Sequence, residues 1–268
     1  MNTVIPLITV WLAHFIVDFM VGIWSVFKTI SALDIGVAGL IAGLCGFLGE
    51  GSQLLFGSLT DRGYKKILVV LGLILSSGSA LLGYMNGYFL FFIMYLFTCL
   101  GSGAFHPPAV SLVGGLTQSK KGLFIAIFAT GGSLGMACSQ IVFSSVHSRF
   151  GGDTAVLLVP ALALALLCLL FGYWKKDSQP ASMTKRPAFG LEMFRTYFQN
   201  RSLKMLYITQ VFNQTISWAA IFILPDILAS RGYEPEIAFG GGHFVYIMGG
   251  VLMMIRSEER RVGKECLR

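Results

Sequence analysis

Long apolar runs alternate with short polar breaks along most of this chain. A run of about 20 mostly apolar residues is long enough to cross a bilayer as a helix. Eight such runs are present, at 5–28, 36–58, 67–86, 88–114, 122–145, 154–174, 205–229 and 238–255. Most breaks between them are short, so consecutive helices are expected to pack antiparallel. The exception is 175–204, a polar and basic stretch with two prolines that separates six predicted helices from two. The pattern predicts four parts: a six-helix bundle at 1–174, a linker at 175–204, two helices of a second bundle at 205–255, and a tail at 256–268.

Composition places these helices in lipid. The chain of 268 residues is 55% hydrophobic and 12% charged, with a mean hydropathy of +0.73. Soluble domains carry about 25% charged residues. The formal charge of +7 is therefore a matter of membrane topology rather than of nucleic-acid binding, and no nucleic-acid partner is expected. Breaks at 58–66 and 115–121 and the linker carry twelve Lys and Arg residues. The opposite side carries three, Lys28, Arg149 and Arg231. Basic residues stay on the cytoplasmic side, so the N-terminus and the linker are expected in the cytoplasm. Cys45, Cys99, Cys138 and Cys168 lie in apolar runs without metal-ligand spacing and read as small core residues. No cofactor and no metal is expected.

The tail RSEERRVGKECLR has eight charged residues in thirteen and follows an apolar run without transition. RSEERRVGKEC resembles what one frame of a common short-read sequencing adapter encodes. The expectation is that native sequence ends near Ile255, that 256–268 is non-native, and that the chain is a fragment, inactive as written.

Ionisable groups inside the apolar runs are few. A charge at the bilayer centre costs about 2.5–3.5 kcal/mol on insertion scales, so such residues face the bundle interior and mark function by default. Asp18 and His14 are four residues apart, on one helix face. Glu50 lies 11 residues before Asp61, about 16 Å into the membrane at 1.5 Å per residue; its bland alternative is a hydrogen bond to Gln53. GSGAFHPPAV, from Gly101 to Val110, sets His106 before Pro107 and Pro108. The prolines lack amide hydrogens, leaving the carbonyls of Gly103 and Ala104 without their helical donors. A kink is expected there, with His106 at the bend, either bonded to a carbonyl or in contact with substrate or protons. Asp18 has two readings as well, a functional one and a structural pairing with a group such as His106. Gln210, Asn213, Gln214 and Ser217 follow i, i+3, i+4, i+7 spacing, a stripe expected to face inward as cavity lining or interhelical glue. Asp226 reads as too near the outer end to matter. His243 beside Gly240 to Gly242 reads as close packing, as does Ala129 to Gly135, while His147 and Arg149 read as loop residues.

Several motifs then resemble one family. GSLTDRGYKK, at 57–66, is similar to the cytoplasmic signature loop of the major facilitator superfamily, with Gly57, Leu59, Asp61, Arg62 and Lys66 matching. Gly63 follows Arg62 directly, where the family usually has one more residue between them. HFIVDF (14–19), FHPPA (105–109), ATGGSLG (129–135) and LPDILASRGY (224–233) resemble the fosmidomycin-resistance-like branch. In the family's antiporter motif a Gly-Pro pair is usual; here it is Gly135-Met136. The resemblance implies an all-α integral membrane fold of two six-helix halves, of which this chain holds the first half and about two helices of the second. It implies a proton-coupled secondary transporter, an efflux carrier of a drug or small metabolite. Its partners would be protons, a small-molecule substrate and the lipid bilayer. It would act as a monomer in the inner cell membrane, and the signature loop would control conformational change. Uptake of a metabolite is the alternative. An intramembrane enzyme is less favoured: neither HExxH nor a P-loop is present.

Overall fold

The structure, a computed structural model, describes residues 3–117, 120–171, 195 and 198–250. The tail 256–268 and all but eight residues of the 175–204 stretch lie outside the described residues, so the expectations about them are neither met nor refuted. Within the described residues the chain is all-α, with no strand.

Eight helices follow the eight apolar runs. They are α1 Val4–Ile30, α2 Ile35–Asp61, α3 Lys65–Ser76, α4 Tyr88–Leu116, α5 Lys121–Arg149, α6 Leu158–Phe171, α7 Arg201–Ser230 and α8, residues 235–250. Six of the described helices, α3 being counted to Tyr84, are long and apolar enough to cross a membrane; α6 is shorter. Their outer faces carry exposed large hydrophobics, among them Phe47, Phe89, Val159, Leu170 and Phe212. Such faces are stable only in lipid.

The ends follow local chemistry. The Asp34 carboxylate accepts from the Val37 N–H at 2.9 Å and caps α2, and Asn200 does the same for α7 through Leu203. Helix α2 stops in a Schellman turn: the Tyr64 N–H donates to the Leu59 carbonyl and the Gly63 N–H to that of Thr60. Gly63 has φ +96°, the left-handed position such a turn requires. This explains why glycine follows Arg62 directly.

Three boundaries differ from the sequence expectation. The α3 segment does not remain α-helical to residue 86; it tightens into a 3-10 helix at Ser77–Tyr84. Ser76 and Ser77 turn their hydroxyls back onto the carbonyls of Leu73 and Ile74, which competes with regular helix geometry. Helix α5 runs on to Arg149, so His147 and Arg149 occupy its last turn, where cationic side chains suit the helix dipole. A π turn at Ile237–Gly241 opens α8.

Helix α4 is central to the first bundle, packed against α2 and α3, with α1 alongside; α1 also packs along α5, and α6 covers α3. Small residues set these approaches. A Cβ on Gly135 would strike the Phe15 backbone, one on Gly72 would strike Phe105, and one on Gly103 would strike the Gly49 carbonyl and Ser52. The Ala129 to Gly135 stretch is thus a packing face, as its composition suggests. Trp24, Ile23, Phe27, Phe143 and Tyr95 fill one apolar cluster, and Leu73, Phe105, Val113 and Phe128 another. Cys45, Cys99 and Cys168 are buried free thiols and Cys138 is half-buried.

Candidate functional site

Two of these helices bring three polar side chains together. His14 and Asp18 stand one turn apart on α1, with His14 Nε2 3.2 Å from Asp18 Oδ2. His106 reaches them from α4: its Nε2 is 3.2 Å from His14 Nε2 and 3.5 Å from Asp18 Oδ1. Helix α5 closes the third side. The His14 ring stacks on Phe128 with centroids 4.1 Å apart, and a Cβ on Gly132 would collide with both the Asp18 carboxylate and the His14 ring. Trp11 Nε1–H donates to Thr130 Oγ1 at 3.1 Å and fixes α1 against α5 beside the cluster.

The backbone fixes the tautomers. His14 Nδ1–H donates to the Phe128 carbonyl at 2.9 Å. His106 Nδ1–H donates to the Ser102 carbonyl at 2.8 Å. A carbonyl only accepts, so each Nδ1 carries its hydrogen, and each neutral ring presents a lone pair at Nε2. Two imidazole lone pairs and a carboxylate therefore face one another. Three acceptors in contact repel unless something positive sits between them. A proton on either imidazole Nε2, or another cation between the groups, removes that repulsion.

Helix α4 continues through Pro107 and Pro108 to Leu116, so the pair does not end the helix. His106 does bond a carbonyl, as one sequence reading had it. The carbonyl is that of Ser102, not one of the two that the prolines leave without donors. Glu50 accepts from Gln53 Nε2 at 2.5 Å, and its side chain is exposed.

The polar stripe on α7 does not join this cluster. Gln210, Asn213 and Gln214 are exposed and Ser217 is half-buried. Helix α7 meets the first bundle further along, around Ile221, Phe222 and Asp226. Inward placement of the stripe is therefore not seen among the described residues.

In the signature loop, Gly57 faces Pro107 on α4, where an added Cβ would lie 4.0 Å away. Asp61 and Arg62 are exposed at the end of α2. Lys66 Nζ donates to the Leu169 carbonyl at 2.8 Å and ties α3 to the end of α6.

One feature escaped the sequence reading. Lys28 on α1 is 1% exposed and forms an ion pair with Asp226 on α7. Thr29 Oγ1 donates to the same carboxylate at 2.9 Å, and the ammonium lies over the Phe222 ring. Asp226 thus ties α7 to α1 rather than being a bystander. The available signal was a lone lysine ending an apolar helix and a lone aspartate inside another. His243, read from the sequence as close packing, is fully buried against α5, where its Nε2–H donates to the Met136 carbonyl at 2.8 Å. Its Nδ1 and the amide of buried Gln140 lack partners among the described residues.

Gly131-Gly132-Ser133-Leu134-Gly135 also has the spacing of a G-x-S-x-G element. It sits in mid-helix and Ser133 Oγ–H donates to the Ala129 carbonyl. A nucleophile elbow needs a strand-to-helix turn, and none is present among the described residues.

Together these features define a multi-pass, all-α membrane protein with polar groups enclosed between its helices, the build of a secondary carrier. The sequence profile of the Major Facilitator Superfamily matches residues 8–263, and the chain belongs to that family, which is one of transporters rather than of enzymes. It is similar to Multidrug resistance protein MdtH of Shigella dysenteriae serotype 1, 24% identical over 152 residues, 56% of this chain and 37% of that protein. MdtH of Salmonella typhi is 22% identical over 201 residues, 74% of this chain and 49% of the relative. Monocarboxylate transporter 9 of Rattus norvegicus is 31% identical over 112 residues, 42% of this chain and 21% of the relative. The chain spans less than half the length of each of these relatives.

Proposed function

We propose that this chain belongs to a secondary active carrier that expels a small molecule in exchange for protons, within the fosmidomycin-resistance-like branch. The observation that carries the reading is the meeting of His14, Asp18 and His106 between α1 and α4. Inside a membrane protein such a cluster is expensive, and function is its default explanation. Its three acceptors call for a cation, and the proton is the one that the resemblance implies. Glu50, Gln210, Asn213 and Gln214 would line the substrate path in a complete two-bundle assembly. Residues 1–174 and 205–255 are read as the first bundle and part of the second, with 175–204 as a cytoplasmic linker. Gly57, Asp61, Arg62 and Lys66 would govern the rocking of the bundles. The carrier is read as a monomer in the inner cell membrane with a cytoplasmic N-terminus. The similarity to multidrug resistance proteins favours efflux of a drug-like molecule. The shorter match to a monocarboxylate transporter keeps uptake of a small metabolite as the second reading.

Proteoliposomes carrying the protein separate these. Ethidium moving uphill when a proton gradient is imposed, and stopping when the gradient is collapsed, supports proton-coupled efflux. Proton-driven accumulation of radiolabelled lactate with no ethidium movement supports uptake instead. Ethidium movement indifferent to the proton gradient overturns proton coupling.

A further inference from the structure

The three acceptor atoms are arranged for a metal ion. A tetrahedral Zn2+ with ligand bonds near 2.1 Å holds neighbouring ligand atoms about 3.4 Å apart. The separations here are 3.2 Å between the two Nε2 atoms, 3.2 Å from His14 Nε2 to Asp18 Oδ2 and 3.5 Å from His106 Nε2 to Asp18 Oδ1. Asp18 turns Oδ2 to His14 and Oδ1 to His106, and the three residues each offer one ligand atom within 4.8 Å of the others, close enough for a metal ion to draw them into one coordination shell.

The surroundings match as well. Metal-binding histidines donate their other N–H to a carbonyl or carboxylate, which fixes ring and tautomer. Both histidines do so, to Phe128 and Ser102. The ligating nitrogen is in each case the one left free. His14 is nearly enclosed, whereas the side chains of His106 and Asp18 are 25% and 20% exposed. The fourth position is thus open to water or to a donor atom of a transported molecule. Two imidazoles and one carboxylate select Zn2+ and its neighbours over Mg2+ and Ca2+, which prefer oxygen ligands.

We propose that His14 Nε2, His106 Nε2 and the Asp18 carboxylate form a binding site for a divalent transition metal, typified by Zn2+. Binding occupies the acceptors assigned above to the coupling cation, so the metal inhibits transport. Occupancy itself is independent of what is transported or in which direction.

The test uses the chain purified without a polyhistidine tag, in lipid nanodiscs, dialysed against radioactive zinc. One Zn2+ per chain is expected, undisturbed by excess Mg2+. X-ray absorption of the zinc-loaded chain should show two imidazole nitrogens and one carboxylate oxygen, a readout that needs no variant. His106→Gln and Asp18→Asn should each weaken binding at least tenfold, and His147→Gln should leave it unchanged. Failure of the wild-type chain to bind zinc stoichiometrically, a sulfur-ligand shell, or unaltered affinity in both site variants overturns the proposal. None of these results bears on the carrier reading, whose test is transport.

Discussion

Lys28 on α1 and Asp226 on α7 form an ion pair that joins the two helices, with the lysine 1% exposed and the aspartate 30% exposed. The same carboxylate takes a hydrogen bond from Thr29. A pair of this kind need not add net stability, but removing one partner strands a buried charge. The account predicts that Asp226→Asn destabilises the protein by about 3 kcal/mol. The double variant Lys28→Met with Asp226→Leu should recover most of that loss. Thermal unfolding in detergent, followed by size-exclusion chromatography after heating, checks both. Equal losses in the single and double variants would show that the pair is not the tie described here.

Close packing of α1 on α5 depends on glycines that meet it at two heights. An added Cβ at Gly135 meets the Phe15 backbone, which cannot yield, while one at Gly132 meets the side chains of His14 and Asp18. Overpacking of this sort costs about 1–3 kcal/mol. Gly135→Ala should therefore lower thermal stability without a specific effect on the polar cluster. Gly132→Ala should weaken transport more than its stability loss explains. Comparing residual transport at matched amounts of folded protein distinguishes them.

The turn between α5 and α6 carries a pH dependence. The Asp153 carboxyl is held below its ordinary range, chiefly by a hydrogen bond from Tyr84 and next by the Ala155 N–H. A carboxyl whose folded pKa is lowered stabilises the fold above its unfolded pKa, near 3.9, and loses that contribution as pH falls through the folded value. Hydrogen exchange of the amides at 151–157 should accelerate, after correction for intrinsic rates, as pH drops from 5 toward 3. Asp153→Asn should exchange faster at pH 6 and lose that pH dependence. The group is fully exposed, so the effect is local.

Much of this fold is legible in the sequence because lipid imposes one rule: a long apolar run must become a helix. All eight runs did so within the described residues. Details set by local hydroxyls or by contact escaped the pattern. The 3-10 segment after Ser76 depends on serine hydroxyls turning back onto the helix, and the π turn in α8 lies where Gly240 is pressed against Ile141. The site was partly legible. His14 and Asp18 share a face by spacing alone, and a pairing of Asp18 with a group such as His106 was one of its two readings. The carbonyls of Phe128 and Ser102 carry no sequence signature, yet they determine which nitrogen faces the cluster. The stripe of Gln210, Asn213 and Gln214 had the right period for an inward face but lies exposed. Spacing defines a face and does not say what covers it.

Asp18 is the one carboxyl group among the three clustered side chains, so coupling is most directly tested by replacing it and leaving its shape. The measurement is gradient-driven uphill movement of ethidium in proteoliposomes, beside binding of the same dye, for the wild type and Asp18→Asn in the complete carrier. The account predicts that the variant binds the dye normally and loses uphill transport at least tenfold. Full proton-driven transport by Asp18→Asn would contradict it.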